Sequence, residues 1–265
     1  MIKNLFLHPL ARGLDVDDPA TTEVRRRIIR SKPFLRRLYD EWYESIVAGL
    51  PDVDGPVVEL GSGAGHLEEF LPGVVKSEIL TCPHVAVVLD AGFLPFADAS
   101  LRALTMTDVF HHLPKPEAFL REAVRCLRPG GSVVMIEPWV TSWSRFVYRR
   151  LHPEPFDPDA QSWEFPSSGP LSGANSALPW IVFNRDRDRF HTEFPLLRIE
   201  SVDPMMPVRY LLSGGVSLRG LQPGWTFPLW RSLERALKPY WPAMAMFARI
   251  VIRRTDGENT RGGKG

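Results

Sequence analysis

With 32 basic and 31 acidic side chains in 265 residues, the chain has a net charge of +1, so it lacks the field that would draw it to nucleic acid. Its 44% hydrophobic and 24% charged residues are those of an ordinary globular protein, long enough for one elaborated domain. Cys82 and Cys126 make neither a disulfide framework nor a C-x-x-C pair, no apolar run approaches the ~18 residues of a membrane span, and the first ten residues are a poor secretion signal; a cytoplasmic location is expected.

Residues 1–17 look irregular. Asp18-Pro19 reads as an N-cap and first-turn proline, predicting a basic helix to about Ser31 with Arg25, Arg26, Arg27 and Arg30. Pro33 restarts it. Phe34, Leu35, Leu38, Tyr39, Trp42, Ile46 and Val47 then recur at helical spacing, predicting an amphipathic helix that packs on the core. After a polar turn, Pro51–Pro56, strands are expected at Val57–Leu60, Val74–Leu80, Val85–Leu89, Ala103–Val109 and Ser132–Ile136. Helical stretches are expected at His66–Leu71 and Pro116–Leu127, the second ended by Pro129-Gly130-Gly131. This alternation predicts an open, mostly parallel α/β sheet. Thr141–Leu151 reads as another helix. The stretch His152–Ser176, rich in Pro, Ser, Gly and Asp, is too long for a simple connection and reads as a lid. Leu196–Val202, Val208–Leu212 and Phe247–Ile252 read as strands and Phe227–Leu237 as a helix; the polar tail from Thr255 is expected to be disordered.

The most informative segment is residues 57–65, Val-Val-Glu-Leu-Gly-Ser-Gly-Ala-Gly. A buried strand ends in an acid and a glycine loop, which lets backbone approach a ligand at the carboxyl end of the strand. The expected helix from His66 would aim its free N–H groups at the same place. The spacing of Gly61, Gly63 and Gly65 is not that of a dinucleotide fingerprint, and the loop has no P-loop lysine. Glu59 would repel a phosphate and suits a cationic ligand. The segment resembles motif I of the class I S-adenosylmethionine-dependent methyltransferases.

That resemblance runs on to residue 138 and implies a fold: α/β, Rossmann-like and doubly wound. The sheet would be seven-stranded and mostly parallel, with an N-terminal helical cover and a lid inserted after strand five. In these terms residues 1–265 form one domain: helical cover 1–50, cofactor-binding core 54–138, lid and acceptor insertion 139–192, sheet completion 193–254 and tail 255–265. The implied cofactor is S-adenosylmethionine, leaving as S-adenosylhomocysteine. Its binding residues would be Glu59, Gly61, Ser62, Gly63 and Gly65 in the loop, Glu78 on the ribose hydroxyls, and Asp90 on the adenine amino group beside Ala91. Phe93 or Leu94 would cover the ring, and Asp108 and Val109 would border the methionine part. The chain departs from the family pattern where Pro72-Gly73 cuts the first crossover helix short and only residues 81–84 separate strands two and three. The amphipathic helix from Phe34 is expected to supply some of the missing cover.

Methyl transfer from a sulfonium needs alignment of acceptor, methyl and sulfur, and a hydroxyl acceptor gains from a base. His111 and His112, after strand four, are the candidate catalytic residues. Glu137, Trp139 and His152 are candidate acceptor contacts. The acids Asp157, Asp159 and Glu164 lie in a Pro-rich loop rather than a cluster, so no metal is expected. The expected activity is methylation of a small-molecule acceptor, foremost O-methylation of a sugar, lipid-linked glycan or secondary metabolite. The alternatives are a non-catalytic cofactor-binding subunit or regulator, and another group transferase such as an aminopropyltransferase. Trp230, Tyr240 and Trp241 leave peripheral membrane contact open; the sequence is silent on oligomeric state.

Overall fold

The computed structural model describes residues 7–151 and 154–256. Two helices lead: α1, Pro19–Ser31, and α2, Pro33–Ala48. Asp18 caps α1 by accepting from the Ala20 N–H at 2.8 Å. The sheet strands in its amino-terminal half are β1 (Val57–Leu60), β2 (Val75–Glu78), β3 (Val87–Val88) and β4 (Leu101–Thr107). Helix α3, Pro116–Cys126, precedes β5, Leu127–Pro138. Then come α4 (Ser142–Leu151), α5 (Arg187–Glu193), β6 (Leu197–Met205), α6 (Arg209–Ser213), α7 (Phe227–Ala236) and β7 (Phe247–Arg254).

The seven strands run in the order β3-β2-β1-β4-β5-β7-β6. The first five are parallel, and β7 is antiparallel to both β5 and β6. The central strands are apolar on both faces, as a sheet covered on both sides requires. Val133 and Met135 of β5 point into one core with Phe119, Leu120 and Ala123 of α3 and with Phe183 and Phe190. Val134 and Ile136 point into the other with Phe34, Leu38, Trp42 and Ile46 of α2. The expected mostly parallel α/β fold and its helical cover are therefore present. Helix α2 covers the β5–β7 centre and the loop after β1, not the β2–β3 edge.

Two local expectations are corrected. Residues 66–71 do not form a helix; only Leu67–Glu69 makes a single 3-10 turn, because Pro72-Gly73 follows at once and His66 turns away at φ −147°. The strand-like run Val208–Leu212 is helical as α6. Buried Glu234 accepts from the N–H groups of Val208 and Arg209 at 2.8 and 2.7 Å, and Gly214 at φ +70° ends the turn. Around Phe183 a short helix Leu178–Trp180 widens over Ile181–Arg185, where the Asp186 N–H reaches back to Ile181 O. Thr255 still donates to Leu196 O. The remainder of the expected tail, residues 257–265, lies outside the described residues.

Candidate active site

The glycine loop sits at the carboxyl end of β1, the central position of the parallel sheet. Gly61 takes φ +64°, and a Cβ there would stand 2.5 Å from Val109 Cγ2, so the loop and the turn after β4 are in direct contact. Ser62 ties the loop to β2: its N–H donates to Ser77 O at 2.8 Å, and its Oγ accepts from the Ser77 N–H at 3.2 Å. Glu59 is 2% exposed, and its Oε2 has no hydrogen-bond partner among the described residues. Desolvation pushes its carboxyl up to about 7; Ser62 and Lys76 oppose this, while Glu68 and Glu78 add to it. Glu78, at the end of β2, is also buried and is raised by desolvation, while its Oε2 accepts from the Ile79 N–H at 2.7 Å. Its Oε1 lies 3.4 Å from where a Gly63 Cβ would be. Thus Glu59 and Glu78 flank the loop from adjacent strands.

The N-terminal helices close over this loop, in part taking the place of the missing crossover helix. Tyr43 Oη accepts from the His66 N–H at 3.2 Å, and Asp40 pairs with His66 Nε2 at 2.7 Å. Arg26 reaches Gly65 O, and His84 Nε2 donates to Gly63 O at 2.6 Å. A Cβ on Gly65 would lie 2.4 Å from Tyr43 Oη. Gly65→Ala should therefore cost about 1–3 kcal/mol in chemical denaturation, and the cost should shrink in a Tyr43→Phe background, where the hydroxyl is gone. Equal costs in both backgrounds would refute this account of Gly65.

At the β3 end Asp90 is exposed, and its Oδ1 accepts from the Gly92 N–H at 2.7 Å. Ala91 and Leu94 are in the core, whereas Phe93 is 81% exposed, so of the two expected ring covers only Phe93 offers a free face.

The turn after β4 is built on Glu137. This carboxylate is wholly buried at the end of β5 and accepts from the N–H groups of Val109 and Phe110 at 2.8 and 2.7 Å. Its other oxygen takes His111 Nδ1 at 2.8 Å. Asp108 opens the turn at φ +62°, a strained conformation that Asp tolerates better than most residues, with its N–H on Ile136 O. Desolvation raises the Asp108 carboxyl, and His111 opposes the shift. Glu137 is consumed by its own turn. Trp139, 5% exposed, packs in the core, and His152 lies outside the described residues.

His111 and His112 are brought together, with ring centroids 4.2 Å apart. Burial would lower the His111 pKa, but Glu137 and Glu154 outweigh it and hold the imidazole well above its ordinary value. Burial, aided by His111, pushes His112 down to about 4. Residues 165–175 are strapped over this pair: Asn175 N–H donates to His111 O, Phe165 N–H to Pro114 O, and His112 Nδ1 to Gly173 O at 3.1 Å. Glu154 completes the group, 3.4 Å from His111 Nε2 and 3.8 Å from His112 Nε2. Sequence reasoning missed Tyr43, His84 and Glu154. Only Tyr43, one position past Trp42 on the buried side of α2, left a signal in the helical periodicity.

Residues 58–135 match a family model described as a methyltransferase domain. Over the whole chain the fold is similar to a chain of the complex containing the Haloferax volcanii Trm112 methyltransferase activator, with 15% identity, a TM-score of 0.53, and coverage of 91% of this chain and 98% of that one. It is also similar to the geranyl diphosphate C-methyltransferase of Streptomyces coelicolor A3(2), with 15% identity, a TM-score of 0.50 and coverage of 94% and 87%. At such identity the two structures speak for the fold; the match over 58–135 spans β1 through most of β5. Through that segment the chain is similar to methyltransferase domains.

Proposed function

We propose that this protein transfers the methyl group of S-adenosylmethionine to a hydroxyl of a small-molecule acceptor. The observation that carries the reading is the unpartnered, buried carboxylate oxygen of Glu59 beside a glycine loop on the central strand. A buried carboxylate without a partner is costly in the ligand-free protein, and a cationic ligand removes that cost. Glu78 is placed to receive a vicinal diol, and Asp90 with Phe93 to meet a flat base at the sheet edge. The methionine end would then extend toward Asp108 and Val109.

The acceptor side of the reading rests on His111, His112 and Glu154. These groups stand beyond the turn that contacts Gly61, partly covered by the strapped segment, and are reached from the Glu154 side, where that side chain keeps 32% exposure. Such cover favours a small acceptor over a folded macromolecule. In the transfer the acceptor oxygen forms a bond to the methyl carbon as the carbon–sulfur bond breaks and its electron pair stays on sulfur. The hydroxyl proton is released to water on the His/Glu side of the site. The test is incubation of the intact protein with S-adenosylmethionine and a small-metabolite extract. A product heavier by one CH2, with S-adenosylhomocysteine formed in step, is the expected result. Cofactor binding without any methylated product would refute catalysis and favour a non-catalytic binding subunit.

A further inference from the structure

Both histidines after β4 have their Nδ1 atoms engaged. His111 Nδ1 faces the Glu137 carboxylate at 2.8 Å, and His112 Nδ1 faces the Gly173 carbonyl oxygen at 3.1 Å. An oxygen acceptor at Nδ1 keeps a proton there, so Nε2 is the nitrogen that each ring offers to a metal; on His111, which Glu137 and Glu154 hold in the charged form, binding would release the Nε2 proton. Those two Nε2 atoms do not diverge. Together with a carboxylate oxygen of Glu154 they lie within 4.8 Å of one another. His111 Nε2 is fully buried and has no hydrogen-bond partner among the described residues; Glu154 Oε2 is 3.4 Å away, and the Oε1 to His112 Nε2 distance is 3.8 Å. Three electron-rich atoms facing one another across gaps of this size, with their outer nitrogens oriented by a carboxylate and a main-chain carbonyl, form the arrangement that surrounds a bound cation.

We propose that His111 Nε2, His112 Nε2 and the Glu154 carboxylate hold one divalent transition-metal ion of the zinc type. Two imidazole nitrogens select against magnesium and calcium, which take oxygen ligands. Zinc–nitrogen bonds of about 2.0–2.1 Å put neighbouring ligand atoms roughly 3.0–3.4 Å apart. His111 and Glu154 already stand at that spacing, and His112 has only a short distance to close. Three protein ligands leave a coordination position for an outside oxygen, the feature that separates catalytic from structural zinc sites. The exposed part of Glu154 gives the ion a way in. The expectation of no metal looked to the acids at 157, 159 and 164; the ligands come instead from the turn after β4 and from Glu154, 42 residues beyond His112.

What the ion does rests on the methyl-transfer reading; that it binds does not. An acceptor hydroxyl at the open position would be acidified by the ion, much as zinc acidifies bound water, and held where its oxygen can meet the methyl group.

The test uses the intact, tag-free chain, treated with chelator and dialysed, then titrated calorimetrically with zinc chloride and separately with magnesium chloride. One zinc per chain with a submicromolar Kd is expected, confirmed by metal analysis after gel filtration, with no magnesium binding at the same concentrations. His112→Ala and Glu154→Gln should each weaken zinc binding by about 100-fold or more, and Glu137→Gln, which orients His111, by roughly 10- to 100-fold. Glu164→Gln, exposed and outside the group, should leave it unchanged. His112 and Glu154 are partly exposed, so their variants test the site without relying on the buried His111. No heat with zinc, equal binding of magnesium, or full zinc affinity in His112→Ala and Glu154→Gln would each overturn the assignment. A parallel titration with S-adenosylhomocysteine separates the two readings: cofactor binding without zinc binding removes the metal alone, and zinc binding without cofactor binding removes the methyltransferase reading alone.

Discussion

Glu59→Gln is expected to raise the melting temperature of the ligand-free protein above neutral pH while weakening its binding of S-adenosylmethionine. Burial lifts this carboxyl from its ordinary range to about 7, and its Oε2 finds no partner. Below the unfolded-state pKa of about 4.5 both the folded and the unfolded chain carry the proton, so Glu59 leaves stability unchanged there. As pH rises from about 4.5 to 7 the unfolded chain gives up the proton while the folded one keeps it, and stability falls. Above 7 the folded protein carries a desolvated charge that costs on the order of 3 kcal/mol. Removing the charge should restore most of that cost, a gain of several degrees in thermal melting at about pH 8 and almost none at about pH 4. The cofactor should show the opposite dependence. Its ammonium favours ionised Glu59, so wild-type affinity should rise by up to about tenfold per pH unit approaching 7 and level off above it. The glutamine variant should lose about 10- to 100-fold in affinity at about pH 8 and lose the pH dependence with it. Melting curves and calorimetric titrations across this range check both halves. A variant no more stable than wild type at pH 8 would contradict the buried, unpartnered charge.

Glu137→Ala should be among the most damaging substitutions in the chain. Its carboxylate is fully buried, takes the N–H groups of Val109 and Phe110, and holds His111. Removing it leaves the N–H groups of Val109, Phe110 and His111 and the His111 imidazole without their acceptor, for an expected loss of about 3–5 kcal/mol and a melting temperature lower by roughly 10 °C. Glu137→Gln keeps the shape and one acceptor oxygen and should lose less than half as much. Urea denaturation of the two variants decides the point: a loss under about 1 kcal/mol in Glu137→Ala would mean the turn does not depend on this carboxylate, and Glu137 would become available as a contact to the acceptor.

The parts of this molecule legible in the sequence are those set by local pattern. Val57–Leu60 and Phe247–Ile252 are short apolar runs with little choice but to be buried strands, and α1 begins at Asp18-Pro19, where cap and first-turn proline announce it. The glycine loop could be read because its spacing and its acid are contiguous. The parts that were not legible depend on distant partners. Val208–Leu212 alternates like a strand, yet becomes a helix because Glu234, from α7, supplies an acceptor to its first N–H groups. The run after the glycine loop has helix-forming residues, but Tyr43 takes the His66 N–H and Pro72 leaves no room for a second turn. Glu137 and Trp139, read as acceptor contacts from their place at the end of strand five, point inward, because β5 is covered on both faces to its last residue. The association of Glu154 with the two histidines arises only when the Pro-rich segment folds back over the β4 turn through the Asn175–His111 and Gly173–His112 contacts.

The central claim is that the glycine loop and the carboxylates at the ends of β1 and β2 form one binding site for the cofactor. A calorimetric titration of the intact protein with S-adenosylhomocysteine, repeated on Glu78→Ala, tests it most directly. Glu78 is buried with its pKa raised, so its loss should leave the fold standing. A single site is expected in the wild-type protein, with an affinity at least about tenfold lower in Glu78→Ala and the melting temperature maintained. No heat in the wild-type protein, or equal affinity in the two, would contradict it.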